Sequence, residues 1–297
     1  MLIGIHFLLT YTCNFECDHC FLYCGPRSYG TFTLKQIKAT LDEAVKIGSI
    51  ENIYFEGGEP FLYYPLMIEG IKLANEKGFK TGVVTNCYWA QSREDAMIWL
   101  KPLVELCVSY ISISDDTFHH GEVEINPAKI AQAALKELGT SGITLSVEKP
   151  SLNNTKESSL RKGGAMLKGR AADKLIGEIP QKNWRSWESM KTCPHEDLIN
   201  PSRVHVDSFG NVHLCQGLSI GNMWKTPLSK LIANYKAEEH EICKHIVEGG
   251  PAQLAKYFRV DHNEKYIDEC HLCYSTRKAL IKRFPEFLTP HQVYGLD

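Results

Sequence analysis

The sequence lacks long runs of one charge, internal repeats and low-complexity tracts. Lys and Arg total 33 against 35 Asp and Glu, so the composition indicates neither a nucleic-acid-binding track nor an anionic membrane surface. The apolar opening MLIGIHFLLTYTC has no basic start, no small-residue cleavage site and too few residues to span a bilayer. We therefore expect a cytoplasmic protein without nucleic-acid or membrane partners, and we interpret the opening as a buried strand.

A complete set of disulfides is excluded by the odd number of cysteines, which is 11. Without a secretory signal, so many thiols indicate a reducing compartment, where clustered cysteines bind metal more often than they form disulfides.

The first half of the 297-residue chain alternates apolar runs of strand length with stretches of helical period, which is typical of βα units feeding a parallel sheet. In such a fold the loops after the strands form the working face. The predicted strands are Ile3–Leu9, Asn52–Glu56, Thr81–Thr85, Val108–Ser114 and Ile143–Glu148. The predicted helices are Leu34–Ile47, Leu66–Lys77, Arg93–Lys101 and Ala128–Leu138.

The second half is less regular. The polar segment from Pro150 to Thr192 is expected to be a linker with a short helix and a last barrel strand. The runs RVHVD and NVHLC predict a β-hairpin that turns through Gly210. Helices are predicted over Pro227–Tyr235 and Tyr274–Arg283, and Cys107 is expected to begin a buried strand.

A first cysteine cluster follows the first predicted strand and consists of Cys13, Cys17, Cys20 and Cys24. A 4Fe-4S cube needs four ligands, which are usually thiolates, and three protein ligands would leave one iron open. The alternative is a zinc knot, for which the spacing is cramped but possible.

The pattern C-x3-C-x2-C, with Gly57-Gly58-Glu59-Pro60 directly after the second strand, resembles the radical S-adenosylmethionine superfamily. The resemblance implies a partial (β/α)6 barrel and a 4Fe-4S cluster on Cys13, Cys17 and Cys20. It also implies that Gly57, Gly58, Glu59 and Pro60 hold the amino group of S-adenosylmethionine.

Further cofactor contacts are implied by the same resemblance. His19 precedes the third cysteine, where the family usually has an aromatic residue near the adenine, and Thr85-Asn86 resembles the family's T-N-G with Cys87 in place of glycine. Ser112 and Ser114 match places that contact the ribose or the carboxylate. Cys24 lies outside the pattern and is interpreted as a spectator.

The tail contains a second set of cysteines, which are Cys193, Cys215, Cys270 and Cys273. The spacings Gly210-x4-Cys215 and Cys270-x2-Cys273 resemble the twitch domain, a shortened relative of the SPASM domain, and Lys168-Gly169-Arg170-Ala171 resembles the G-R-A that often precedes such domains. This resemblance implies one auxiliary 4Fe-4S cluster, for which we predict these four cysteines as ligands. The resemblance implies a partial barrel over residues 1–175, then a linker and a small α+β auxiliary-cluster domain over 176–297. A structural zinc site is the alternative.

Three further residues are candidates for catalysis. Asp116 and His119 lie in the DDTFHH loop after the fourth strand, where functional loops of barrels lie. Cys243 is a candidate hydrogen donor or a substitute fourth ligand, and an inert thiol on a helix face is the alternative.

The resemblance implies an enzyme that cleaves S-adenosylmethionine reductively and abstracts hydrogen from an unactivated carbon with a 5′-deoxyadenosyl radical. Oxidation or cross-linking of a peptide or small molecule would follow, with electrons from a donor such as flavodoxin or ferredoxin. A thiol-assisted epimerase is an alternative. A non-catalytic zinc-binding interaction protein is an alternative from another class.

Overall fold

The computed structural model describes residues 1–121, 123–152, 160–161 and 163–296. Its first half alternates strands and helices as the sequence predicts, with a 3-10 turn at Pro60–Tyr63. The elements are β1 (Gly4–Thr10), α1 (Leu34–Ile47), β2 (Asn52–Gly57), α2 (Tyr64–Glu76), β3 (Lys80–Thr85), α3 (Arg93–Glu105), β4 (Tyr110–Ser114), α4 (Thr117–His120), α5 (Pro127–Glu137) and β5 (Ile143–Leu145).

Helix α1 illustrates how local sequence sets these boundaries. The Thr33 hydroxyl accepts a hydrogen bond from the Gln36 amide at 3.3 Å, and the Gln36 side chain accepts one from the Thr33 amide at 2.8 Å. This reciprocal pair satisfies two N–H groups that the first turn leaves free. Gly48 ends the helix in the left-handed conformation, with φ 77.

The second half has shorter elements. They are β6 (Ser151–Leu152), β7 (Leu160–Arg161), α6 (Arg170–Lys174), β8 (Arg185–Ser186), β9 (Arg203–Asp207), β10 (Asn211–Cys215), β11 (Leu218–Asn222), α7 (Leu228–Asn234), α8 (Cys243–Phe258), β12 (Lys265–Tyr266) and α9 (Glu269–Leu280). Strands β9 and β10 form the predicted hairpin, and Gly210 in its turn has φ 90.

Three details differ from the sequence-based expectations. Helix α9 begins at Glu269, because the Asp268 carboxylate accepts a hydrogen bond from the His271 amide and caps it; Cys270 therefore lies inside this helix and not before it. Helix α8 was not predicted, since its kink at Gly249 and Gly250 interrupts the helical pattern. Cys107 is exposed in a turn with φ 54, so its assignment to a buried strand was wrong.

The strands form one eight-stranded sheet in the order β11-β10-β9-β1-β2-β3-β4-β5. Strands β9, β1, β2, β3, β4 and β5 run parallel, whereas β10 and β11 are antiparallel to their neighbours. The order has two ends, β11 and β5, so the barrel is open. The sixth parallel strand is β9, outside the segment from 150 to 192 where we expected it.

The tail hairpin continues the sheet of the first half. Strand β9 pairs with β1 from Arg203 opposite Gly4 to Asp207 opposite Leu8, and one hydrophobic core contains residues of both halves, such as Phe7 and Val204. The two predicted domains thus share a sheet and a core, while the boundary at residue 175 stays a prediction. Among the helices of the described residues, none has the length and apolarity needed to cross a bilayer.

Candidate functional site

The loop after β1 brings its four cysteines to one cavity of about 270 Å³, which Cys13, Cys17, Cys20 and Cys24 all line. A backbone hydrogen bond from the Cys13 amide to the Gly25 carbonyl at 3.1 Å joins the two ends of the loop, and one from the Cys20 amide to the Cys17 carbonyl at 3.0 Å forms a turn within it. Four thiols from a short loop therefore face a shared space at the carboxyl edge of the sheet.

The two glycines after β2 allow this loop to pack directly against the strand end. A Cβ atom on Gly58 would lie 2.2 Å from the Thr12 carbonyl oxygen, and Gly57 has φ 127, so a larger residue would push the loop away. The Gly58 amide donates to the Thr10 carbonyl at 2.7 Å, and the Glu59 amide donates to the Thr12 carbonyl at 3.0 Å. The glycine pair thus fixes the distance between the cysteine loop and β2.

The Glu59 side chain connects the ends of β2 and β3. Its carboxylate accepts hydrogen bonds from the Asn86 amide at 2.7 Å, the Thr85 hydroxyl at 3.0 Å and the Phe61 amide at 3.0 Å. Complete burial raises the pKa of Glu59 to about 7, although these donors act in the opposite direction. Pro60 is buried and begins the 3-10 turn, so Glu59 is held rigidly beside the cavity.

Asn86 extends this connection to the first cysteine. Its side-chain amide donates to Asn14 Oδ1 at 3.0 Å and lies 3.7 Å from the sulfur of Cys13. Cys87, which stands where the family has glycine, is buried and has φ 59. The backbone here therefore takes the left-handed conformation that glycine would favour, and the sequence departs from T-N-G without changing the turn.

The predicted catalytic pair Asp116 and His119 lies on the opposite wall with His19. One ligand atom of each of the three lies within 4.8 Å of the others, and His119 Nδ1 is 2.8 Å from Asp116 Oδ1. Asp116 also caps α4 by accepting from the Phe118 amide at 3.0 Å. Burial lowers the pKa of His19 to about 4, so its imidazole is neutral near pH 7. The ring packs against that of Phe118, with centroids 4.7 Å apart.

Most of the predicted cofactor residues line this one cavity. Its lining includes Gly57, Gly58, Glu59, Thr85, Asn86, Ser114, Asp116, His119 and His19. Ser112 and Pro60 are buried nearby and are not part of the lining. Cys243 is buried at the start of α8 in the hydrophobic core and also lies outside the lining.

The four predicted tail ligands also meet at one place. Cys193, Cys215, Cys270 and Cys273 line a cavity of about 30 Å³. Lys168 Nζ lies 3.3 Å from the sulfur of Cys215, and Arg277 Nη2 lies 3.9 Å from the same sulfur. Both cations are almost completely buried, so this site combines four thiols with two positive charges.

The segment that resembles G-R-A joins the two cysteine sites. Lys168 contacts the tail site, whereas the Arg170 guanidinium donates to the Cys24 carbonyl at 2.7 Å and the Cys17 carbonyl at 3.0 Å. Between them Gly169 has φ 61, and a Cβ atom there would lie 2.5 Å from the Phe21 carbonyl. The segment from Lys168 to Arg170 thus contacts both the first cysteine loop and the tail site.

Sequence reasoning missed Arg277 and a polar group formed by His6, Glu56 and His205. Each of the two histidines lies in the middle of a predicted strand, one in GIHFL and one in RVHVD. Alternation along the strand places His205 on the same face as Arg203 and Asp207. The partners across the sheet could not be identified, because the pairing of β9 with β1 is not evident from the sequence.

The part of the chain that contains the first cysteine loop is similar to known proteins. Residues 7–120 match the profile of the Radical SAM superfamily. This segment of the chain is similar to radical SAM domains. The similarity implies a 4Fe-4S cluster and S-adenosylmethionine, and three thiols beside the glycine pair in one cavity fit both groups. The match does not extend to the tail, where the twitch- or SPASM-like domain stays a prediction.

Relatives of the radical SAM domain differ in what their names assign to them. YydG of Bacillus subtilis strain 168, named for peptide biosynthesis, is 28% identical over 107 residues, which are 36% of this chain and 34% of YydG. The chain thus spans about a third of that relative. An S-adenosylmethionine-dependent nucleotide dehydratase of Fibrobacter sp. strain UWH6 is 22% identical over 285 residues, covering 91% of this chain and 78% of the dehydratase.

Among solved structures, the crystal structure of BtrN in complex with AdoMet and 2-DOIA has a similar fold. The TM-score is 0.51 with 18% sequence identity, and the match covers 79% of this chain and 83% of the BtrN chain. At this identity the likeness shows the fold alone, which is an open α/β sheet.

The cysteines of the loop differ in acidity. Burial raises the pKa of Cys13 to about 12 and raises that of Cys17 as well. The pKa of Cys20 is instead lowered to about 6, because its sulfur accepts hydrogen bonds from the Cys24 thiol and from the Cys24 amide, the latter at 3.3 Å. Cys20 is therefore a thiolate at neutral pH before any metal binds.

This difference predicts the alkylation chemistry of the metal-free protein. Cys20 should react with iodoacetamide half-maximally near pH 6, and Cys24→Ala should shift this midpoint upward, because the thiol that stabilises the thiolate is removed. Peptide mass spectrometry across a pH series measures the alkylation of Cys20 and Cys13 in the same sample. Cys13 is the internal control and should react slowly. An unchanged Cys20 midpoint in the variant would contradict the proposed hydrogen bond.

Proposed function

We propose that this protein is a radical S-adenosylmethionine oxidoreductase or maturase that oxidises or cross-links a peptide or small-molecule substrate. The observation that carries the proposal is the shared cavity, in which three thiols of the C-x3-C-x2-C loop face the Gly57-Gly58-Glu59 segment. When bound, the cluster supplies the electron that cleaves S-adenosylmethionine and so generates the 5′-deoxyadenosyl radical.

In this proposal Cys13, Cys17 and Cys20 hold the first cluster, and the segment from Gly57 to Pro60 holds the amino group of S-adenosylmethionine. Glu59 keeps the ends of β2 and β3 together through its bonds to Thr85 and Asn86. A rigid binding segment of this kind positions a ligand for reaction with little further loss of conformational entropy in the protein.

The remaining cavity wall would receive the substrate and exclude water from it. Its apolar part is formed by Val84, Leu145, Val147, Ala165 and Met166, and its polar part includes Asp116 and His119. The carboxylate and the imidazole are hydrogen-bonded to each other, and such a pair can accept or release a proton at the cavity wall. These two residues are our candidates for substrate contact.

We further propose an auxiliary 4Fe-4S cluster in the tail, held by Cys193, Cys215, Cys270 and Cys273. The support is that all four thiols line one small cavity beside Lys168 and Arg277. Buried cations offset the negative charge of a thiolate-bound cluster and favour its reduced form. Such a site is suited to accept an electron from the substrate radical, which is thereby oxidised to the product.

Thiol-assisted epimerisation through Cys243 is less well supported. Cys243 is buried in the hydrophobic core and lines neither cavity, whereas a hydrogen donor has to reach the substrate. Electron removal through the tail is therefore the better account, with flavodoxin or ferredoxin as the proposed donor to the first cluster.

The test of the proposed function uses the triple variant Cys13→Ala, Cys17→Ala and Cys20→Ala. It should lose about four irons per chain and should form no 5′-deoxyadenosine from S-adenosylmethionine with dithionite. Chromatographic assay after anaerobic reconstitution measures the product. Cys107→Ala, which removes an exposed thiol, is the matched control and should keep full cleavage. A wild-type protein that is colourless, free of iron and loaded with zinc would refute the proposal.

The tail is tested by joint replacement of Cys270 and Cys273 with alanine. Iron should fall from about eight to about four per chain, uncoupled cleavage of S-adenosylmethionine should continue, and turnover of the true substrate should stop. Cys243→Ala is the control, since it also removes a tail thiol, and it should leave iron content and turnover unchanged. Simultaneous loss of cleavage and turnover in the double variant would argue instead for a destabilised fold.

A further inference from the structure

Three side chains of adjacent strands face one another on the inner side of the sheet. His6 lies on β1 opposite His205 on β9 and Tyr54 on β2, and Glu56 follows Tyr54 by two positions on the same face. One ligand atom of each of His6, Glu56 and His205 lies within 4.8 Å of the other two. The radical SAM sequence motifs do not include any of these residues.

The distances in this group match those between ligands of a common metal ion. His6 Nδ1 is 3.2 Å from Glu56 Oε2, and His205 Nε2 is 3.2 Å from Glu56 Oε1. Nitrogen and oxygen ligands bound tetrahedrally at about 2.0–2.2 Å lie about 3.3 Å apart. His6 Nδ1 is buried and faces the Glu56 carboxylate.

One tautomer of His205 suits a metal ligand. Lys168 donates to Gln216 Oε1 at 2.7 Å, which turns the Gln216 amide nitrogen toward His205 Nε2 at 3.5 Å. In the tautomer whose proton is on Nδ1, Nε2 faces this amide and carries a lone pair. This lone pair and the Glu56 carboxylate then face each other at 3.2 Å, an arrangement that a cation between them stabilises.

The group is also rigid and within reach of a ligand. The ring of His6 stacks on that of Tyr54 with centroids 4.5 Å apart, and the three side chains come from paired strands of the sheet. Glu56 lines the cavity that the first cysteine loop faces. A divalent ion would also neutralise the single carboxylate in this largely buried setting.

We propose that His6, Glu56 and His205 form a binding site for a divalent transition-metal ion of the zinc type, separate from both cysteine sites. Two imidazoles and one carboxylate leave coordination positions open, and an oxygen or nitrogen of the substrate can occupy one from the cavity side. The ion would hold and polarise the substrate as a Lewis acid. Metal binding at this site does not depend on the proposed radical chemistry, whereas the role toward the substrate rests on the proposed function.

The experiment counts zinc in the full-length protein after its cysteine sites have been filled with iron. The anaerobically reconstituted wild type, Glu56→Gln, His205→Gln and the control His245→Gln are dialysed against zinc sulfate, and zinc and iron are measured by mass spectrometry. His245 is a buried imidazole of α8 that stacks on Tyr257, outside the group. Wild type and control should retain one more zinc per chain than the two ligand variants, with equal iron in all four.

The loss of zinc affinity in Glu56→Gln and His205→Gln should exceed the roughly 10–100-fold that removal of a group supporting a ligand costs. Equal zinc in all four proteins, or no zinc in the wild type, would overturn the proposal. If a variant also loses iron, crystals of the wild type soaked in zinc decide the question. An anomalous peak among the three side chains supports the site, and its absence overturns it. Iron content and S-adenosylmethionine cleavage report separately on the proposed function.

Discussion

The structure depends on the way in which Arg170 holds the first cysteine loop. A loop that directs its thiols into a cavity leaves backbone carbonyls on its other side, and buried carbonyls need donors. The Arg170 guanidinium supplies them to Cys17, Tyr23 and Cys24, and the Arg170 amide donates to the Cys20 carbonyl at 2.9 Å. Lys168, which precedes Arg170 by two residues, contacts Cys215. The same short segment therefore positions the tail site as well.

The opposite side of the loop packs so closely against the end of β2 that no side chain fits between them. Gly58 lies so close to the Thr12 carbonyl that no Cβ atom fits, and Glu59 ties the adjoining strand ends together. The cysteine loop is therefore held between a glycine-rich strand end and an arginine from the second half of the chain.

The first half of the chain and its site were predictable, because the functional motifs there directly follow strands that the sequence pattern indicates. Thr33 caps α1 through a local sequence signal, and Cys13, Cys17, Cys20 and Glu59 meet because they follow successive parallel strands. The tail was harder to predict, since the pairing of β9 with β1 joins residues about 200 positions apart and leaves no periodic signal. The same pairing creates the group of His6, Glu56 and His205, and the Gly249-Gly250-Pro251 kink concealed α8.

The central claim is that Cys13, Cys17 and Cys20 hold a cluster to which S-adenosylmethionine binds directly. Electron paramagnetic resonance of the anaerobically reconstituted, dithionite-reduced protein tests it, with the Cys270→Ala, Cys273→Ala background removing the tail signal. The account predicts a reduced 4Fe-4S signal whose g values change when S-adenosylmethionine is added, since the ligand coordinates the iron that lacks a cysteine. A protein without such a signal, or a signal that the cofactor leaves unchanged, would contradict it.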